Sequence, residues 1–272
     1  MSMDSVDFSV ATPYAVQQNK TFFDIEFHRQ WFARNWHLSI YASVVYLLCI
    51  ANGQKLMKNR KAYDVKNIIF WWNIGLSFFS LCGSIKLFPE LLSVLKNKGV
   101  YHSICSTSFK KDPTIEFWMW LFTWSKLIEF GDTVFLVLRK QKLICLHWSH
   151  HVITLIYCFF AFSDLPAISR WGITINYMIH TIMYCYYALK TIKLYVPQEV
   201  AKIITVLQTI QMLIGVATGS GSLYYVIKGD KCEGSVSVCL ATALMSLYYF
   251  VLFAHFFINR YQKKSSIDQK SK

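Results

Sequence analysis

Residues 126–151 read KLIEFGDTVFLVLRKQKLICLHWSHH, and this stretch decides how the chain folds. Lys126, Glu129 and Asp132 stand in an otherwise apolar run. After a short basic segment, three histidines follow at His147, His150 and His151. Offsets of three and four residues set these histidines on one face of a helix. Ionisable groups are costly at membrane depth, so they turn toward a bundle interior and mark a site.

The chain around this stretch is built for a membrane. Of its 272 residues, 54% are hydrophobic and 17% aromatic, while 16% are charged; soluble domains carry about 25% charged residues. Seven apolar runs lie at 36–54, 67–85, 115–138, 144–162, 171–189, 203–227 and 236–258, each near the roughly 20 residues that a spanning helix needs. The expected fold is an all-α polytopic membrane protein of seven transmembrane helices. It divides into an N-terminal segment, 1–35, the seven-helix domain, 36–258, and a basic tail, 259–272. In the N-terminal segment, Phe23, Phe27 and Trp31 recur every four residues, as in an amphipathic stretch lying on the membrane surface. The first 20 residues hold Asp4, Asp7 and Pro13 without an apolar core, so no cleaved signal peptide is expected. The formal charge of +13 comes from basic residues spread among the loops. That spread suits topology, anionic lipid head groups or an anionic substrate, and not nucleic acid.

Lys and Arg counts orient the helices. One set of ends (55–66, 139–143, 190–202 and the tail) holds sixteen, and the opposite set eleven, five of these in the long loop 86–114. The C-terminus is expected in the cytosol and the N-terminus on the far side. Asn19, in the one N-x-[ST] sequon, is then placed for glycosylation. Of the eight cysteines, only Cys105 and Cys232 fall in far-side loops. An oxidising compartment would permit a bridge between them; two free thiols are the alternative.

Depth follows from orientation. Lys126, Glu129, Asp132 and Thr133 occupy the inner half of the third span, and the histidine box the inner end of the fourth. The fifth carries Asn176, His180, Met183, Tyr184 and Tyr187, and the sixth Thr205, Gln208 and Gln211, all at three- or four-residue steps. Four polar stripes at one depth imply a polar chamber open to the cytosol. Arg139, Lys140, Lys142, Lys190, Lys193, Lys202, Arg260 and Lys263 would ring its mouth, and a cationic rim suits a phosphate-bearing ligand. Plainer readings stay open: Lys126 with Glu129 as a neutralising ion pair, Gln208 and Gln211 as interhelical hydrogen-bond partners, the tyrosines as an interfacial belt, and His180 as a hydrogen-bonded core residue.

An HxxHH box on a membrane helix has two chemical readings. Its imidazoles can ligate a transition metal, or one can be a nucleophile or base that its neighbours orient. Membrane di-iron oxygenases need around eight converging histidines. This chain has eight in all, and only His147, His150, His151 and His180 are placed to converge, so no metal is expected.

The ordered motifs KxxExxDT (126–133), HxxHH (147–151), NxxxHxxMYxYY (176–187) and TxxQxxQ (205–211) resemble those of the very-long-chain fatty acid elongases of the endoplasmic reticulum. The seven-span layout is similar as well. The sequence is closest to the branch that extends saturated and monounsaturated acyl-CoAs, with Ser149 where that branch commonly has tyrosine.

The resemblance implies decarboxylative condensation of a long-chain acyl-CoA with malonyl-CoA, giving 3-oxoacyl-CoA, CoA and carbon dioxide. His150 would take the acyl chain as an acyl-imidazole, and His180 would polarise a carbonyl or move a proton. His147 and His151 would orient the cluster. Lys126, Glu129, Asp132, Thr133, Asn176, Tyr184, Tyr187, Gln208 and Gln211 would support it. Arg139, Lys140, Lys142, Lys193, Lys202 and Arg260 would meet CoA.

No cofactor would be needed. The reductases and dehydratase of the cycle would be partners, along with membrane lipid, and self-association is left open. The acyl tail would point away from the cytosol, with Gly219–Ser222 allowing close packing or a bend near its end. The rival classes are a di-iron desaturase or hydroxylase, a seven-helix receptor, and a lipid transporter.

Overall fold

The computed structural model describes residues 23–262; Asn19, Lys263 and the rest of the tail lie outside them. Among the described residues the chain is helical, without strands. It opens with α1 (Ile25–Asn35) and α2 (Leu38–Met57), then the long α3 (Lys66–Cys105) and a 3₁₀ turn at Ser108–Lys111. Two shorter helices follow, α4 (Pro113–Ile128) and α5 (Phe130–Leu138). The chain then runs through α6 (Cys145–Phe162), α7 (Ser169–Thr191), α8 (Gln198–Lys228) and α9 (Val236–Phe257), ending in a π-helical turn at Ile258–Gln262. Five of these, α2, α3, α6, α8 and α9 with its extension, are long and apolar enough to cross a membrane. This is a multi-pass membrane protein.

The two remaining expected spans depart for reasons that lead to the site. The run at 115–138 is split at Glu129 into α4 and α5, and the Glu129 carboxylate turns inward to Lys126. Helix α7 has the length, with 23 residues, but Arg170, Asn176 and His180, all turned inward, dilute its apolar run.

The expected loop 86–114 is corrected. Helix α3 runs on to Cys105, interrupted at Gly99, where φ is +80°. Leu87, Leu91 and Val94 form a buried stripe at helical spacing, while Lys86, Lys96 and Lys98 stay outside it. An amphipathic extension therefore carries charges that read as a loop. Helix α8 is longer than its apolar run as well, with 31 residues. At about 1.5 Å per residue it spans roughly 46 Å, against about 30 Å for a bilayer core.

In α1, Phe27 is exposed and Phe32 fully buried, packed on Trp124, Phe159 and Phe162. This helix is thereby fastened to α4 and α6.

The bundle has two distinct ends. At one, the α2–α3 and α5–α6 connections lie together: Tyr63 N–H donates to the Leu138 carbonyl (3.1 Å) and Lys140 Nζ to the carbonyls of Lys58 and Arg60 (both 3.0 Å). At the other, Cys105 and Cys232 are joined by a disulfide. There Glu233 accepts from the Thr107 backbone and hydroxyl, and Asp164 Oδ2 accepts from Ser235 N–H (2.8 Å) at the start of α9. Arg170, fully buried, forks onto Glu90 (2.7 and 2.9 Å) and reaches the Ser103 and Ser106 carbonyls. Such a buried guanidinium is tolerated because each edge finds an acceptor. Gly219 sets how closely α8 and α9 pack, since a Cβ there would come within 2.9 Å of the Ala243 backbone nitrogen.

Candidate active site

A cavity of about 620 Å³ opens among the helices near the first of these ends. Its wall carries His147, His150 and His151 from α6 and Asn176, His180, Tyr184 and Tyr187 from α7. Thr205, Gln208 and Gln211 come from α8, with Glu129 and Asp132 from the α4–α5 break and α5. The four polar stripes expected at one depth do meet around a single space. Arg139, Lys190 and Arg260 also line it. Lys142, Lys193 and Lys202 stand outside its wall, as does Lys140, whose ammonium is turned to the backbone of the α2–α3 connection.

Behind the wall, Lys126 and Glu129 are both 3% exposed. Lys126 Nζ donates to Glu129 Oε1 (2.6 Å) and Asn176 Oδ1 (3.1 Å), with the Phe122 ring below at 4.2 Å. Ser125 Oγ, which donates to the Phe122 carbonyl (2.8 Å), stands 3.3 Å from Glu129 Oε1. His180 Nδ1 lies 3.7 Å from that same oxygen, so its Nε2 is the ring nitrogen turned away from the carboxylate. Isolated buried charges cost several kcal/mol each, and pairing with added hydrogen bonds is what makes them tolerable. One carboxylate thus serves Lys126 and His180 together.

Two further networks hold the adjoining wall. Asp132 accepts from Trp72 Nε1 (2.7 Å) and from Tyr184 Oη (2.8 Å), which fixes both carboxylate oxygens. Gly131 makes room for this, because a Cβ there would stand 2.6 Å from the Trp72 ring. Thr133, fully buried, is 2.9 Å from His147 Nε2 and 2.7 Å from Tyr46 Oη. His151 is held by its rings' neighbours: His147 at 4.6 Å, His150 at 5.8 Å, and Tyr46 and Phe130 beyond. Gln208 donates to Met183 Sδ (3.3 Å). Among the described residues no group of three His, Cys, Asp or Glu is arranged to hold a metal ion.

A second, apolar pocket of about 110 Å³ continues from the first. His150, Asn176, Gln211 and Met212 line both. From there it follows α6 past Thr154, Tyr157, Cys158 and Phe162 to Leu165, Ile168 and Trp171 beside the disulfide end. The twelve residue steps from His150 to Phe162 rise about 18 Å. Gly219–Ser222 stand outside this wall, whereas Gly215 and Thr218 of the same helix form part of it.

Tyr46, Trp72, Thr154 and Tyr249 touch the site without having been expected there. The partner of each lies far along the chain or one turn away. For Trp72, the glycine before Asp132 was the one available hint.

Comparison with known proteins bears on this geometry. The pattern described as the ELO, GNS1/SUR4 family matches residues 31–269. The chain is 40% identical over 236 residues to very long chain fatty acid elongase 6 of Drosophila melanogaster, covering 86% of this chain and 75% of that one. It is 37% identical over 241 residues to elongase 6 of Gallus gallus (89% and 91% covered) and 36% identical over 232 residues to elongase 6 of Homo sapiens (85% and 87% covered).

Proposed function

The chain belongs to the ELO, GNS1/SUR4 family of fatty acid elongation enzymes, and from that premise we propose that it is the condensing enzyme, a very-long-chain 3-oxoacyl-CoA synthase. It joins malonyl-CoA to a long-chain, saturated or monounsaturated acyl-CoA. The observation that carries this reading is the junction at His150: a polar, histidine-lined cavity on one side and an apolar pocket lined along α6 on the other.

A neutral imidazole nitrogen of His150 attacks the thioester carbon, the carbon–sulfur bond breaks, and CoA leaves as thiolate. Malonyl-CoA then enters the polar cavity and loses carbon dioxide. Its enolate attacks the acyl carbon, and the carbon–nitrogen bond breaks with its electron pair returning to the ring. The product is 3-oxoacyl-CoA, and the released thiolate takes up a proton from solvent. His180, set by Glu129, polarises the malonyl thioester carbonyl as the enolate develops. Tyr184 and Asp132 hold the adjoining wall, and Arg139, Lys190 and Arg260 meet the CoA phosphates. The chemistry needs no metal or nicotinamide, and the later reductions and dehydration belong to partner proteins.

Seven crossings complete the topology in this reading, with α4–α5 and α7 packed among the five more apolar helices. The cavity faces the cytosol, the N-terminus lies in the lumen of the endoplasmic reticulum, and Asn19 is glycosylated there. The excess of Lys and Arg at the cavity end and the disulfide at the opposite end support that orientation.

Purified protein incubated with labelled malonyl-CoA and a panel of acyl-CoAs tests the reaction. Release of labelled carbon dioxide with formation of 3-oxoacyl-CoA is expected. Acyl-CoA-dependent turnover that leaves malonyl-CoA intact would refute it.

A further inference from the structure

The rings of the cluster are not held alike. His147 presents its Nε2 to Thr133 at 2.9 Å, whereas His150 presents Nδ1, at 3.5 Å from Thr154 Oγ1 one turn along α6. Thr154 Oγ1 is in turn 2.9 Å from Tyr249 Oη, and Tyr249 donates to the His150 backbone carbonyl at 3.1 Å. Tyr249 is 1% exposed, and its ring lies 4.8 Å from the His150 imidazole. The four groups close a circuit that begins and ends on His150.

Each hydroxyl has one proton, and a carbonyl can only accept. Tyr249 gives its proton to the His150 carbonyl, so the Thr154–Tyr249 bond is donated by Thr154. Reversing that bond would leave two lone-pair oxygens facing each other at 3.1 Å. Thr154 then has only lone pairs left for the imidazole, which places the ring proton on Nδ1 and leaves Nε2 bare.

We propose that Thr154 and Tyr249 are positioning residues that fix the Nδ1–H tautomer of His150, aim Nε2 at the thioester, and stabilise the ring once it is acylated. This rests on the acyl-imidazole reading above and extends it. Attack by Nε2 forms the carbon–nitrogen bond and expels CoA thiolate, leaving a cationic acyl-imidazolium whose proton stays on Nδ1. When the enolate forms the carbon–carbon bond, the carbon–nitrogen electron pair returns to Nε2 and the ring is neutral again. No proton has to leave Nδ1 in either half-reaction. The long 3.5 Å contact of the resting ring shortens as the ring gains charge, because hydrogen bonds to charged groups are shorter and stronger. A contact that strengthens only as the reaction proceeds accelerates it rather than merely binding substrate.

The test is stopped-flow release of free CoA from palmitoyl-CoA by full-length purified enzyme, without malonyl-CoA. Wild type is expected to give one burst of CoA per active site. In Thr154→Val the burst rate should fall by about tenfold to a hundredfold, with the KM for malonyl-CoA in the full reaction unchanged. Tyr249→Phe should show a smaller loss in the same direction, and Thr154→Ser, which keeps the hydroxyl, should restore the rate. A wild-type burst that Thr154→Val and Tyr249→Phe both retain overturns the positioning role and leaves the acyl-imidazole intact. The absence of any wild-type burst overturns the intermediate itself, and the positioning role falls with it. Equal losses in Thr154→Ser and Thr154→Val would mark a packing effect and also overturn the proposal. Should Thr154→Val not fold, Tyr249→Phe with Thr154→Ser carries the same comparison.

Discussion

At the histidine end of the bundle, Lys126, Glu129, His151 and His180 are buried, with Asp132, His147 and His150 half-buried, around an open cavity. At the disulfide end, Arg170, Glu90, Asp164 and Glu233 tie loops and helix ends to one another beside an apolar pocket. Both ends place charge in an apolar bundle. The disulfide end spends its charged groups on ion-pair, hydroxyl and backbone partners that fasten helix ends and loops. The histidine end turns the imidazoles of His147, His150, His151 and His180 toward a cavity, and so can act on something brought to it. Buried charge alone therefore does not mark the site; buried charge beside a cavity does.

The largest expected effect comes from breaking the charge balance at the histidine end. Glu129→Ala leaves the Lys126 ammonium buried and uncompensated and should lower stability by about 3–5 kcal/mol, read by thermal unfolding in detergent. Replacing both partners, Lys126→Met with Glu129→Leu, should recover most of that stability while activity stays lost. Recovery of activity in the double variant would mean that the pair is only structural.

At the other end, Cys105→Ser should cost about 2–4 kcal/mol and leave kcat for an accepted acyl-CoA unchanged. A fall in kcat without a fall in unfolding temperature would break the division between the two ends. A subtler probe enters the pocket between them. Ala161→Phe adds bulk at a buried pocket-lining position and should lower kcat/KM for the longest accepted acyl chains about tenfold, sparing shorter ones, in a competition assay read by chain length.

The smallest effect is a pH dependence. Hydrogen bonds from the Thr107 hydroxyl and backbone hold the Glu233 carboxyl below the usual carboxylate range. A depressed carboxylate stabilises the fold above its unfolded pKa of about 4.3 and loses that contribution as pH falls through the folded value. The gap in unfolding temperature between wild type and Glu233→Gln should thus be present at neutral pH and close under acid. A gap that widens in acid would contradict the assignment.

Helix α6 and its box were legible because an apolar run of spanning length carried three histidines at helical spacing. The convergence of the α5, α7 and α8 stripes followed from depth alone. What sequence concealed has a common cause. The outer part of α3 hid as a loop because Lys86, Pro89 and Lys96 dilute the stripe of Leu87, Leu91 and Val94. Tyr46, Trp72 and Tyr249 hid because their partners lie 87, 60 and 95 residues away, beyond the reach of any local pattern. The cationic rim was overcounted for the opposite reason, since a loop lysine such as Lys140 can cap carbonyls as readily as it can face a ligand.

The most direct test of the account is intact-mass analysis with peptide mapping after exposure of the purified protein to a long-chain acyl-CoA alone. The account predicts one acyl group per chain, located on His150, discharged by malonyl-CoA and absent from His150→Ala. An unmodified protein that still condenses the two substrates, or full activity in His150→Ala, would contradict it.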